Sequence, residues 1–358
     1  MTARDVTVRD TTVLRSPTIH DVARHAGVSH MTVSRVINGD RAVRHNTRAS
    51  VEASIEALRF SPNLAARALS GAKQARVALL HRFPNPGSLG EYLIRLSQSA
   101  SRAHAILSFR EVTGSNLDPT VMDDLIARGV QGVILAPPLG DDVDLVAALR
   151  RAGIAIVATG STHGDQGVQS VGIDDRKAAQ EMTAHLLELG HRRIGFVQGR
   201  ATHASSKYRL EGYRDALRAS DVPVDAELIV QGNYDYQSGM QAADELLALP
   251  MPPTAIFASN DDMAAAAVSV AHRRGIDVPS DLSICGFDDT SLATTIWPTL
   301  TTVRQPTADL TELAFKLVLH GIARDQPSAT PDDVVLEHLI VLRESHGPPP
   351  NAHDADLR

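Results

Sequence analysis

"TIHDVARHAGVSHMTVSRVING", residues 18–39, decides how the first part of the chain is read. Thr18 stands where a helix N-cap is expected, and Ile19, Val22, Ala23 and Ala26 recur at helical spacing on one face. Gly27 offers the permissive backbone of a sharp turn. Val28 fits the angle between two helices, and Ser29 is placed to cap the second. That second helix buries Val33, Val36 and Ile37, leaves His30, Met31, Ser34 and Arg35 on the opposite side, and stops at Asn38-Gly39. The pattern predicts a helix–turn–helix whose second helix presents its first residues outward, a shape that enters the major groove of duplex DNA. The competing reading, a plain helical hairpin with a hydrated polar face, does not account for turn, caps and exposed arginine occurring together.

The candidate contacts follow from side-chain chemistry. Arg35 can set its planar fork against O6 and N7 of a guanine, with His30 and Met31 adding a hydrogen bond and a methyl-type contact. Thr32, Ser34, Asn38, Arg41 and Arg44 suit phosphates, which position without specifying; Thr18 and Ser29, at the helix starts, complete the set.

Charge distribution agrees. The 358 residues carry a net −7, but residues 1–73 hold eleven Lys/Arg against six Asp/Glu (+5), leaving 24 against 36 (−12) for the rest. A basic head on an acidic body is expected when only the head meets phosphates. A hydrophobic share of 43% is that of an ordinary globular protein, and no apolar run is long enough to span a membrane. Residues 1–17 lack the apolar core of a secretory signal, so a cytoplasmic protein is expected. The lone Cys285, in the apolar run "LSICGF", reads as a buried strand residue and excludes an internal disulfide.

Beyond residue 74 the apolar runs "ARVALLH", "GVQGVILAP", "GIAIVAT", "RRIGFVQ", "TAIFAS" and "LSICGF" alternate with helical patterns such as "DRKAAQEMTAHLLELG" and "DDMAAAAVSVAHRRG". Continuous apolar strands separated by helices predict parallel sheets covered on both faces. The plan repeats after "GVQSVGIDD", residues 167–175, giving two lobes. The expected class is α plus α/β. Its parts are an N-terminal extension (1–17), a helix–turn–helix domain (18–60), a hinge (61–73), a two-lobed core (74–345) and a flexible tail (346–358). Lobe 1 is assigned about 75–171 plus 306–331, and lobe 2 about 172–303 plus 333–345. Ligands of such sheets bind beyond the carboxyl ends of strands.

These residues carry a resemblance. The opening motif, then "TRASVEASIEALRFSPNLAARALSG", "GIDD", "HLLELGHRRIGFVQG", "RLEGYRDAL", "AIFASNDDMA", "SICGFDD" and "PTLTTVRQP", agree in order and spacing with the lactose/galactose-repressor (LacI/GalR) family of bacterial transcription regulators over residues 18–345. The resemblance implies a core like the sugar-binding proteins of the periplasm, homodimers on near-palindromic operators in double-stranded DNA, and a mono- or oligosaccharide effector. No cofactor, metal or membrane is implied. It also implies that "NLAARALSG", too short to be a stable helix alone, contacts DNA through Asn63, Ala66 and Leu69. Leu69 would wedge into the minor groove, unless it only packs under the core.

Carried onto this chain, the effector contacts are Ser205, Arg209, Tyr234, Asn260, Asp288 and Gln305, with Phe83 or Tyr92 in lobe 1. The chain departs from the family around "FPNPGSLGEYL" and "TGSTHGDQGV", where Thr159 and Gly160 stand near an acidic contact of some members. Asp261 and Asp289 are alternatively helix caps, and Arg209 with Asp288 alternatively a structural ion pair. The leading reading is a repressor of carbohydrate-use genes released by a sugar. The alternatives are a corepressor-dependent or activating regulator, a transport-type sugar-binding protein, and a hydrolase using the carboxylates, which lacks a neighbouring histidine or nucleophile motif. The end, "ESHGPPPNAHDADLR", has no leucine repeat, so a dimer is expected rather than a tetramer.

Overall fold

The computed structural model describes residues 18–37, 43–58, 74–82, 86–112, 119–161, 168–323 and 333–350. The chain divides into two units, residues 1–74 and 75–358.

The first unit contains α1 (Ile19–Ala26), α2 (His30–Ile37) and α3 (His45–Ala57). Val22, Val33 and Val51, one from each helix, have no exposed surface and meet in a small core ringed by Ile19, Val28, Ile55 and Leu58. Both the N–H and the hydroxyl of Thr18 donate to Asp21, at 2.9 and 2.7 Å, closing the first turn. Gly27 turns the chain at φ +67°, a conformation glycine adopts without strain. Ser29 Oγ then accepts the Thr32 N–H at 3.1 Å and caps α2. His25 pairs with Ser54 at 3.0 Å and ties α1 to α3. The side chain of Ile37 and residues 38–42 lie outside the described residues.

The second unit holds two sheets. β1 (Arg76–His81), β2 (Ile106–Glu111), β3 (Gly132–Leu135), β4 (Ala155–Ser161), β5 (Gln169–Ile173) and β11 (Val334–Leu336) form one, in the order β11-β5-β4-β3-β1-β2. β6 (Ile194–Gln198), β7 (Ile229–Gln231), β8 (Ala255–Ala258), β9 (Ser283–Asp288), β10 (Thr301–Arg304) and β12 (Leu339–Val341) form the other, in the order β12-β10-β9-β8-β6-β7. All pairings are parallel except β10 with β12. Each of the six apolar runs contains a strand, and Cys285 is buried in β9.

Helices cover both faces of each sheet, as continuous apolar strands require. On the first, α4 (Pro86–Arg102) and α12 (Thr307–Ala323) pack on one side, α5 (Pro119–Ala127) and α6 (Val143–Arg151) on the other. On the second, α7 (Asp175–Glu188) and α8 (Ala204–Ala219) face α9 (Tyr236–Leu247) and α10 (Asp261–Arg273) across the strands. The short α11 (Leu292–Thr295) follows β9. α7 and α8 approach through Gly212, where an added Cβ would fall 2.0 Å from the Arg176 carbonyl oxygen. Next to it Tyr213 stacks on Phe196 at 4.8 Å and donates its hydroxyl to the Ile194 carbonyl at 2.8 Å.

The chain crosses between sheets three times, after β5, after β10 and after β11, with one or two residues between the flanking elements: Asp174, Gln305-Pro306 and Glu337-His338. This corrects the lobe assignment at one place. Residues 334–336, given to lobe 2 on the sequence, pair with Val171–Ile173 and join lobe 1, because Val334 and Leu336 pack into that lobe's core. The tail is also displaced. His346 hydrogen-bonds Thr301 at 2.8 Å, and Gly347 donates to Ser283 and accepts from His191, both at 2.9 Å, so residues 346–347 are docked on lobe 2. No helix among the described residues is long and apolar enough to cross a membrane.

Candidate functional site

Helix α2 presents the residues singled out for DNA. His30, Met31 and Arg35 are exposed, Thr32 and Ser34 are half-buried, and Arg44 is exposed just ahead of α3. The His30 ring lies 5.2 Å from that of His20, and the Ser29 and Thr32 hydroxyls pair at 2.9 Å. Val33 and Val36 on the opposite side are buried, so the helix is fixed by its apolar stripe and shows its polar one. Asn38, Asn63, Ala66 and Leu69 lie outside the described residues.

In the second unit a cleft of about 910 Å³, counting its open mouth, lies between the carboxyl ends of the two sheets. Lobe 2 contributes Asp175, His203, Ser205, Arg209, Tyr234, Asn260, Asp288 and Thr290, and the crossing after β10 contributes Gln305. Glu91, Tyr92, Pro137, Gly160 and Thr307 close it from lobe 1. Each lobe 2 residue lies on or just after the end of a strand, or on the first turns of the following helix, which is why residues far apart in sequence meet. The tilt of Asp288 and Tyr234 into this region comes with left-handed backbone, φ 109° and 65°.

Arg209 organises the floor. Its Nε donates to Asp175 at 2.7 Å, its Nη1 to the Ser259 carbonyl at 2.5 Å, and its guanidinium lies 3.5 Å over the Phe287 ring. Asp288 stands 3.8 Å from the same guanidinium and accepts from the Gln305 amide at 2.7 Å. Burial works against the charge of Arg209, yet Asp175 and Asp288 raise its pKa above the ordinary arginine value. Burial, with Asp175 and Asp262 adding repulsion, pushes Asp288 up to about 6 in spite of Arg209.

The aromatic wall is Tyr234. Its ring lies against Gly199, where an added Cβ would come 2.0 Å from the ring. Its hydroxyl pairs with Ser205 at 3.2 Å, and its ring stacks on that of His203 at 5.4 Å. Burial, reinforced by Arg200, Arg82 and Arg209, lowers His203 to about 4, so that ring is neutral near pH 7.

The structure therefore brings together Ser205, Arg209, Tyr234, Asn260, Asp288 and Gln305, together with Tyr92 and Gly160. Phe83 lies outside the described residues. Two alternatives are resolved against a capping role. Asp289 binds Arg304 and Arg343 at 2.5 and 2.6 Å. Asp261 accepts from Thr290 and Thr302 while Asn260 caps α10 through Met263 N–H at 3.0 Å. Asn260 also donates to the Tyr234 carbonyl at 3.0 Å, so it shapes the site as well as lining it. The Arg209 ion pair exists, but its close partner is Asp175 rather than Asp288. Asp175, His203, Glu91 and Thr290 were not singled out from sequence. Asp175 had a signal, since it directly follows the strand "QSVGI" and its crossing residue. Among the described residues no cluster of His, Cys, Asp and Glu is arranged to hold a metal ion.

A polar cleft between two doubly covered sheets, on a chain that begins with a helix–turn–helix, defines the class of ligand-responsive DNA-binding regulators. Comparison with known proteins is specific. Residues 18–63 match the model for bacterial regulatory proteins of the lacI family, and residues 183–346 match the periplasmic binding protein-like domain. Catabolite control protein A of Priestia megaterium is 33% identical over 338 residues, covering 92% of this chain and 98% of that protein. Two solved structures are similar over nearly their whole length. The transcriptional regulator CelR–cellobiose complex (TM-score 0.70, 31% identity) covers 92% of this chain and 99% of its own. The lac repressor dimer bound to operator and the anti-inducer ONPF (TM-score 0.70, 26% identity) covers 93% and 100%. The chain belongs to the lacI family: it is a DNA-binding transcriptional regulator and not an enzyme.

Proposed function

We propose that this chain represses genes for carbohydrate use from the bacterial cytoplasm, gripping a near-palindromic operator as a homodimer and releasing it when a mono- or oligosaccharide enters the cleft. Arg35 reads a guanine, His30 and Met31 assist, and Thr18, Ser29, Thr32, Ser34, Asn38 and Arg44 hold phosphates. Asn63, Ala66 and Leu69 engage the minor groove. The observation that carries the sugar reading is the convergence of Ser205, Arg209, Tyr234, Asn260, Asp288 and Gln305 on one cleft. Carboxylate, amide and hydroxyl groups there match sugar hydroxyls, and the Tyr234 ring suits the apolar side of a pyranose. Similarity to CelR, solved with cellobiose, and to the lac repressor dimer, solved on its operator, supports the same assignment. Release requires that the sugar bind the DNA-incompetent arrangement more tightly, and the operator then weakens the sugar by the same factor.

Fluorescence anisotropy on duplexes from upstream of the chain's own and neighbouring genes, with and without a saccharide panel, tests this. One duplex is expected to outcompete random DNA and to lose that advantage with one sugar. Arg35→Ala is expected to lower discrimination by about 1–3 kcal/mol while leaving weak, salt-sensitive binding. No duplex preference under any condition overturns the proposal.

A further inference from the structure

The charge class of the effector is written in the cleft. Three carboxylates line it, Glu91, Asp175 and Asp288, and Arg209 is the one Lys or Arg among the described lining residues. That guanidinium is already engaged by Asp175, by the Ser259 carbonyl and by the Phe287 ring. His203 contributes a neutral ring. Arg82 and Arg200 are near enough to His203 to depress its basicity, but neither lines the cleft; Arg82 Nε donates to the Val112 carbonyl at 3.1 Å while its Nη2 is buried without a hydrogen-bond partner among the described residues.

We infer that the cleft takes an uncharged saccharide and rejects the corresponding acids, hexuronates and sugar phosphates. An anion entering it gives up its hydration and meets three carboxylates against one lining guanidinium, which Asp175 and the Ser259 carbonyl already hold. Neutral hydroxyls meet the opposite situation, since carboxylates and the Gln305 carbonyl accept their protons. The inference rests on the saccharide reading above.

The test uses the full-length protein and calorimetric titration with glucose, galactose, cellobiose and maltose, run beside glucuronate, galacturonate and glucose phosphate. A neutral sugar is expected to bind, and its own acid to bind at least about tenfold more weakly. Glu91→Gln, which removes one lining charge, is expected to narrow that gap. An acid binding as tightly as its neutral parent overturns the charge assignment and leaves the saccharide reading intact. Silence from both series overturns the two together.

Discussion

The two lobes share a plan and differ in what they bring to the cleft. Lobe 2 supplies a connected polar floor in which each group is held by another: Asp175 by Arg209, Asp288 by Gln305, Tyr234 by Ser205 and Asn260. Lobe 1 supplies Pro137 and Gly160, with Glu91, Tyr92 and Thr307 as its polar members. The same architecture thus carries orientation on one side and enclosure on the other. Substitutions in the lobe 2 floor should disturb fold and ligand together, whereas lobe 1 substitutions should disturb affinity alone.

The largest expected effect is from Arg209→Ala. It strands Asp175, 3% exposed, without its countercharge, and is expected to destabilise the core by about 3–5 kcal/mol and abolish the effector response. Denaturant unfolding and anisotropy measure the two; full retention of stability would break the lobe comparison at its strongest point.

Gly199→Ala comes next. Its methyl group would collide with the Tyr234 ring, so sugar affinity is expected to fall about tenfold or more, roughly 1.4 kcal/mol, with DNA binding retained. Titration calorimetry decides it, and unchanged affinity would mean Tyr234 is not a ligand wall.

Asp288→Asn sharpens the comparison through pH. The carboxyl of Asp288 holds its proton up to about 6 in the folded chain against 3.8 ordinarily. Folding therefore takes up a proton in that window, and the stability this group provides at low pH is lost as pH rises through about 6. The Asn variant should flatten the Tm–pH curve between those values and gain on the order of 1 kcal/mol at pH 7 in the ligand-free protein. An unchanged slope in thermal scans would remove Asp288 as its source.

The smallest effect belongs to lobe 1. Tyr92, pushed up to about 12 by burial although it bonds Thr159, stays protonated throughout, so Tyr92→Phe should leave sugar affinity without pH dependence and within about threefold of the parent. A loss as large as that of Gly199→Ala, read by the same titration, would erase the asymmetry between lobes.

Much of this was legible in the sequence because it is local. The stripe Val22, Val33 and Val36, the turn at Gly27 and the apolar runs of β1, β3, β4, β6, β8 and β9 are periodic signals within a few residues. The five lobe 2 residues of the cleft, and Gln305 at the crossing, were named through the family resemblance, with their places just after apolar strand runs agreeing. What escaped was long-range. Nothing local says that Asp175 meets Arg209, 34 residues on, or that Asp261 serves Thr290 and Thr302 rather than its own helix. β11 and β12 are three residues each, too short for a periodicity, so their division between lobes is set only by which sheet edge receives them. The proline-rich end hid Gly347, whose docking depends on His191 and Ser283 far upstream.

The three short crossings have a mechanical consequence. Two joined residues reach about 7 Å, so the halves of the core cannot draw apart along that edge while their strands stay paired. They are leaves bound at a single spine, and rotation about it is the motion left to them. Because Asp175 and Gln305 sit beside that spine, a guest molecule touches the axle itself, where a small push swings the far margins widest.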